Sequence, residues 1–142
     1  MAIQISVFIE NKEGRIKHAI DTLAKAEINI RALSVGDSSK YGILRLIVSN
    51  NEKAIKALED EGFIVKESEV IAITVPDEPN GLNKTLSILD DANINLEYIY
   101  AFVSSTPGEA LVAIKVEDTQ KAIDAFEKNN TPILKEEDLE KI

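Results

Sequence analysis

Apolar and polar positions alternate from the start of the chain. Ile3, Ile5, Val7 and Ile9 alternate with Gln4, Ser6 and Phe8, the period-two pattern of a strand with one strongly apolar face. Ile16, Ala19, Ile20, Leu23 and Ala24 then follow at helical spacing. Ile28 to Val35, rich in β-branched and apolar residues, predicts a second strand. A turn around Asp37 to Lys40 leads to a third strand over Ile43 to Val48. Ala54, Ile55 and Leu58 mark a second amphipathic helix that ends near Gly62, and Phe63-Ile64-Val65 is a short last strand.

The same order then recurs. Ala26-Glu27-Ile28-Asn29-Ile30 is echoed by Ala92-Asn93-Ile94-Asn95-Leu96 at an offset of 66 residues, and Lys53-Ala54-Ile55 by Lys121-Ala122-Ile123 at an offset of 68. The two-residue change falls in a turn near Ser39 and Thr106, where insertions are tolerated. In the second copy, strands are expected over Val70–Val75, Asn95–Val103, Ala110–Val116 and Thr131–Leu134, and helices over Leu82–Ala92 and Thr119–Asn129. Two domains follow, 1–67 and 68–142, with polar Lys66 to Glu69 as the only linker. Strand-helix-strand-strand-helix-strand is the split βαβ arrangement. The fold class is therefore α+β: two ferredoxin-like βαββαβ units, each an antiparallel sheet with both helices on one face. Periodicity leaves open which face that is, and the fold hosts many functions.

Composition narrows the function. A chain of 142 residues divided in two gives units that bury little surface alone, so they are expected to pack together. A hydrophobic share of 44% and a mean hydropathy of −0.07 describe an ordinary globular protein. Apolar runs such as Val70 to Val75 are too short to cross a bilayer, and Met1-Ala2-Ile3-Gln4 does not open a signal peptide. There is no cysteine, which removes disulfides and thiolate chemistry and suits a reducing cytosol; a cytoplasmic location is expected. The net charge is −9 with a pI near 4.7. No basic run supplies the surface that nucleic acid requires, so neither nucleic acid nor membrane is expected as a partner.

Several short stretches resemble the ACT domain family, in a tandem two-ACT form, over nearly the whole chain. Asn11-Lys12-Glu13-Gly14-Arg15-Ile16 is similar to the family's Asp/Asn-x-Pro-Gly-x-Leu loop, and Ala26-Glu27-Ile28-Asn29-Ile30 to its Ala-Gly-Ile-Asn-Ile turn. Leu33-Ser34-Val35 through Tyr41-Gly42-Ile43-Leu44-Arg45 is similar to small stand-alone members. Asp77-Glu78-Pro79-Asn80-Gly81-Leu82 and Ala92-Asn93-Ile94-Asn95-Leu96 repeat both motifs. The resemblance implies a non-catalytic, allosteric regulatory protein of amino-acid metabolism that binds an amino acid or related metabolite. It also implies contact with a second copy as a homodimer, and no cofactor. In serine-binding ACT modules the loop Asn and the Asn that begins the second strand contact the ligand; Asn11 and Asn29 stand there in the first copy, Asp77 and Asn95 in the second. Departures occur at Glu13, where the family has Pro, at Asn80, where it has Gly, and at Glu27 and Asn93, which replace the Gly after the helix. Asn80 and Asn93 tolerate a left-handed backbone, whereas Glu27 makes a poor cap.

The chemistry of these residues suits a zwitterion. Helix-end amides favour a carboxylate, Gly14 and Gly81 permit close backbone approach, and side-chain oxygens of Asn11, Asp77, Asn29 and Asn95 accept from an ammonium. Asn80 and Arg15 complete the candidate ligand-binding set. Plainer roles stand beside these: Asn29 and Asn95 bonding backbone, Asn11 and Asp77 as turn or cap residues, the glycines as loop residues, Arg15 in solvent. Tyr98, Tyr100 and Phe102 share one sheet face, either as an interface with another unit or as core beneath the helices.

Catalysis has little to work with. His18 is the only histidine and is expected on the polar side of its helix. No second histidine or cysteine completes a nucleophile pair or a zinc site, so no metal is expected. Glu136, Glu137, Asp138 and Glu140 read as the solvated face of a terminal helix that turns Leu139 and Ile142 inward. An acylphosphatase-like enzyme using Arg15 and Asn29 is the alternative within enzymes, and a subunit docking on a metabolic enzyme the alternative among regulators. An RNA-binding module lacks the basic context its aromatic rings require.

Overall fold

In the computed structural model, which describes residues 1–37, 41–103 and 106–140, the two repeats become two compact units. One comprises Ile3–Ser68; the other comprises Glu69–Ile142 together with Met1–Ala2. The elements are β1 (Ala2–Glu10), α1 (Arg15–Lys25), β2 (Ile30–Asp37), β3 (Tyr41–Val48), α2 (Asn51–Asp60), β4 (Ile64–Pro76), α3 (Gly81–Asp91), β5 (Leu96–Ala101), β6 (Glu109–Val116), α4 (Thr119–Lys128) and α5 (Glu136–Leu139).

Within the first unit the strands lie in the order β2-β3-β1-β4. β1 and β3 are antiparallel, with Ile5 opposite Leu46 and Val7 opposite Leu44. These four residues share a core with Ala19 and Leu23 of α1 and Ala54 and Leu58 of α2. The helices therefore cover the face that carries the odd-numbered residues of β1, and Gln4, Ser6 and Phe8 lie on the other. Within the second unit the order is β4-β6-β5. Ile71 and Ile73 of β4 face Ile114 and Val112 of β6 and pack with Leu89 of α3 and Ala122 and Phe126 of α4. The stretch expected as a last strand forms a single bridge, Ile133 to Ile73, supported by Leu134 N donating to Ala72 O at 2.8 Å.

Both units end their helices in the same way. Glu27, Gly62, Asn93 and Asn130 have φ of 59°, 87°, 56° and 55°. After each, an apolar or β-branched residue donates its amide back into the helix: Ile28 to Leu23 O, Phe63 to Leu58 O, Ile94 to Leu89 O and Thr131 to Phe126 O, all within 2.9–3.0 Å. This double-bonded terminus satisfies carbonyls that helix ends otherwise leave open. Glu27 adopts it despite the cost of a left-handed backbone, about 1 kcal/mol or more for a residue with a Cβ.

One expectation changes. Lys66 to Glu69 is no linker: it lies inside the 13-residue strand β4. At the C-terminus, α5 buries Leu139 at 2% exposure, as its spacing implies, whereas Ile142 lies outside the described residues, as does Ser39. No described helix is long and apolar enough to cross a membrane.

Candidate functional site

β1 stops pairing at Glu10, opposite Tyr41, and the chain turns over four exposed residues into α1. Lys12 N donates to Glu10 O at 2.8 Å and Arg15 N to Lys12 O at 3.3 Å. Gly14 takes φ 80° immediately before the helix. A Cβ at Gly14 would meet nothing within 4 Å, so the glycine is needed for its dihedral alone. Across the turn, Lys12 Nζ pairs with Glu10 Oε2 at 3.0 Å. That hydrogen bond, then the lysine charge, holds the Glu10 carboxyl below its usual range. Asn11 lies at the rim of a small pocket whose walls include Ile9, Ile16, Val35 and Leu44.

Arg15 does not face this turn. Its guanidinium lies 4.7 Å over the Phe63 ring, and its terminal nitrogen is 3.2 Å from His18 Nδ1. His18 Nε2 in turn is 3.2 Å from Glu61 Oε2. Arginine can only donate, so the pattern fits an imidazole that accepts at Nδ1 and donates from Nε2. His18, expected on the polar side of its helix, is half-buried and bonded on both sides, with its ring 5.1 Å from that of Phe63. The signal was the residue beyond the next helix, Phe63, which helical periodicity around His18 does not contain.

The second turn uses the same path with its residues rearranged. Asp77 N donates to Gly108 O and Gly81 N to Glu78 O, both at 3.0 Å. Here Asn80 takes the left-handed position, φ 72°, and its Oδ1 accepts from Asn83 Nδ2 at 2.9 Å. Gly81 is buried, and a Cβ there would lie 2.1 Å from Pro76 O. Its missing side chain lets the start of α3 press on the end of β4, a role in packing. Asp77 and Asn80 are exposed.

Asn29 and Asn95 stand elsewhere in their units. Each lies beyond the C-terminus of the helix whose N-terminus follows the loop, and α1 has 11 residues, or about 16 Å. Asn11 and Asn29 are therefore at opposite ends of the first unit, and Asp77 and Asn95 of the second. The backbone carbonyls of Asn29 and Asn95 accept from Ser49 N at 2.9 Å and Glu117 N at 3.2 Å, while their side chains are exposed. The sequence held this signal, since each pair flanks a single helix.

Tyr98 and Tyr100 face Lys115 and Ala113 across β5 and β6, whereas Ile99 faces the core residue Ile114. The rings therefore lie on the sheet face away from the helices, so they are not core beneath them. Tyr98 and Tyr100 stack at 6.4 Å; Tyr100 and Phe102 are buried and Tyr98 half-buried. No group of three or more potential metal ligands occurs among the described residues.

The family model for the ACT domain pair matches residues 1–142. Among solved structures, a Bacteroides thetaiotaomicron protein is 36% identical with a TM-score of 0.90, covering 99% of this chain and 96% of its own. The regulatory subunits of aspartate kinase from Thermus thermophilus and Thermus flavus share the fold at TM-scores of 0.64 and 0.60, with 18% and 17% identity, each covering 89% of this chain and 90% of their own. No curated protein matches the sequence. With the whole chain matched and both repeats folded as ferredoxin-like units, the chain belongs to the ACT domain pair family.

Proposed function

We propose that this chain is a non-catalytic regulatory protein of amino-acid metabolism that binds an amino acid or a closely related metabolite, acting in the cytoplasm as a homodimer. The observation that carries this reading is the membership of the whole chain in the ACT domain pair family. The two loops support it: both keep a left-handed residue before the helix, at Gly14 and Asn80, and so lead into a helix N-terminus, where a carboxylate is favoured. Asn29 and Asn95 would serve such a ligand only together with a loop from outside their own unit, because each lies far from the loop of its own unit. An enzyme partner belongs to the same reading, as it does for the two Thermus proteins named as regulatory subunits.

A thermal-shift screen of the twenty amino acids and common biosynthetic products tests this. A ligand at a hundred times its Kd stabilises the fold by about 2.7 kcal/mol, which raises the melting temperature by roughly 2–4 °C per kcal/mol. At least one compound is expected to give a reproducible rise. No rise with any of them overturns the sensor reading.

A further inference from the structure

Ile16 and Val35 are large apolar side chains left 42% and 47% exposed. Neither is a stray surface residue, because both wall the pocket beside the first loop, whose floor is the fully buried Leu44 and the nearly buried Ile9. The pocket holds about 40 Å³. One water needs roughly 10–15 Å³ on this measure, so about three water-sized groups fit, the size of an isopropyl group. Ile9, Ile16, Val35, Gly42 and Leu44 give it one apolar side, which disfavours water and charge and favours hydrocarbon. The mouth is different. Glu10 and Lys12 stand there as a carboxylate and an ammonium 3.0 Å apart, with Asn11 beside them. An α-amino acid carries the complementary charges, an ammonium for Glu10 and a carboxylate for Lys12, on a single carbon.

We propose that this pocket receives the side chain of a small aliphatic α-amino acid, of about the size of valine, while the amino and carboxylate groups bridge Glu10 and Lys12. This specificity presupposes the sensor reading given above and adds the ligand class and the copy that binds it. The second copy is unsuited to the same ligand. Pro76, Asp77 and Glu78 replace Glu10, Asn11 and Lys12, which leaves two acids and no base against a carboxylate. Ala101 and Ala110 replace Val35 and Gly42, changing both the wall and the strand opposite.

Calorimetric titration of the full chain with alanine, valine, aspartate, lysine and phenylalanine tests the assignment. Each methylene moved from water into an apolar site is worth a factor of about four in affinity. Valine should therefore bind roughly fifteen-fold more tightly than alanine, and aspartate, lysine and phenylalanine more weakly than valine. Val35→Phe, at a half-exposed position, should fill the pocket and weaken valine at least about ten-fold, as should Lys12→Ala through loss of a charge-assisted hydrogen bond. Ala101→Phe, the matching change in the second copy, should leave valine binding unaltered. Circular dichroism melts of the variants establish that each is folded.

Failure takes distinguishable forms. Tight binding of a charged or aromatic amino acid in preference to valine overturns the aliphatic assignment and leaves the sensor reading intact. Valine binding that survives Val35→Phe but falls with Ala101→Phe places the site in the other copy and overturns the proposal. Loss of self-association in Val35→Phe, with no response to valine in the parent, assigns the pocket to a second copy of the chain instead. No binding by any amino acid overturns both readings together.

Discussion

The two strand-to-helix loops follow one backbone path with the glycine displaced by a single residue. In the first, Gly14 occupies the left-handed position with open space where a Cβ would sit, and Arg15 follows. In the second, Asn80 takes the left-handed position and Gly81 takes the crowded one, against Pro76 O. The second turn thus poses two separate demands, a positive φ and a close approach of helix to strand. Asparagine meets the first at little cost. Only glycine meets the second here, because backbone carbonyl stands in the way. Matching glycines between repeats by eye would equate Gly14 with Gly81, although they answer different constraints.

Alanine substitution of each glycine gives the largest expected contrast. Gly81→Ala forces a methyl onto a backbone oxygen and should cost about 3 kcal/mol, or roughly 6–12 °C in melting temperature. Gly14→Ala strains only a dihedral and should cost about 1 kcal/mol. Urea melts that give equal losses would break the distinction between the two loops.

A smaller effect of opposite sign is expected at the helix ends. Glu27 and Asn93 hold the same left-handed position in the two copies, but Glu has no local affinity for it. Glu27→Gly should stabilise the protein by about 0.5–1 kcal/mol, and Asn93→Gly by less. Thermal melts of the two variants compare them directly, and a larger gain at Asn93 would contradict the account.

The smallest effect is electrostatic. Lys12 lowers the pKa of Glu10 in the folded protein, whereas the matching residue in the second copy is Pro76. A depressed folded-state pKa stabilises above the unfolded value, and that contribution disappears as pH falls through the folded value. Because the pair is exposed, stability itself should scarcely respond. Lys12→Ala should instead move the Glu10 titration upward, toward an ordinary glutamate, in a carboxyl NMR titration. An unchanged midpoint would mean the ion pair does not form in solution.

Much of the fold was legible because both cores repeat one pattern. Ile5 and Val7 match Ile71 and Ile73, Leu23 matches Leu89, and Leu58 matches Phe126. The pattern failed at residues 66–69, where the strand is mostly exposed and therefore shows no alternation of apolar and polar positions to distinguish it from a linker. It failed at Glu27 because a left-handed glutamate is dictated by two carbonyl bonds and the burial of Ile28, not by its own preference. The pocket was hidden for another reason: Ile16 and Val35 have the spacing of core residues, and sequence periodicity records direction without recording how far a side chain is covered. Asn11 and Asn29 each belong to a short motif, and a motif carries no distance: the length of the helix between them sets their separation.

Strand β4 runs from Ile64 to Pro76 without a turn, so the chain leaves one unit and enters the next inside a strand. Residues 66–69 are mostly exposed yet held extended, and cleavage by a protease needs loose chain. Limited proteolysis should therefore spare this polar stretch, and the place where the sequence looks most like a hinge should be among the last to be cut.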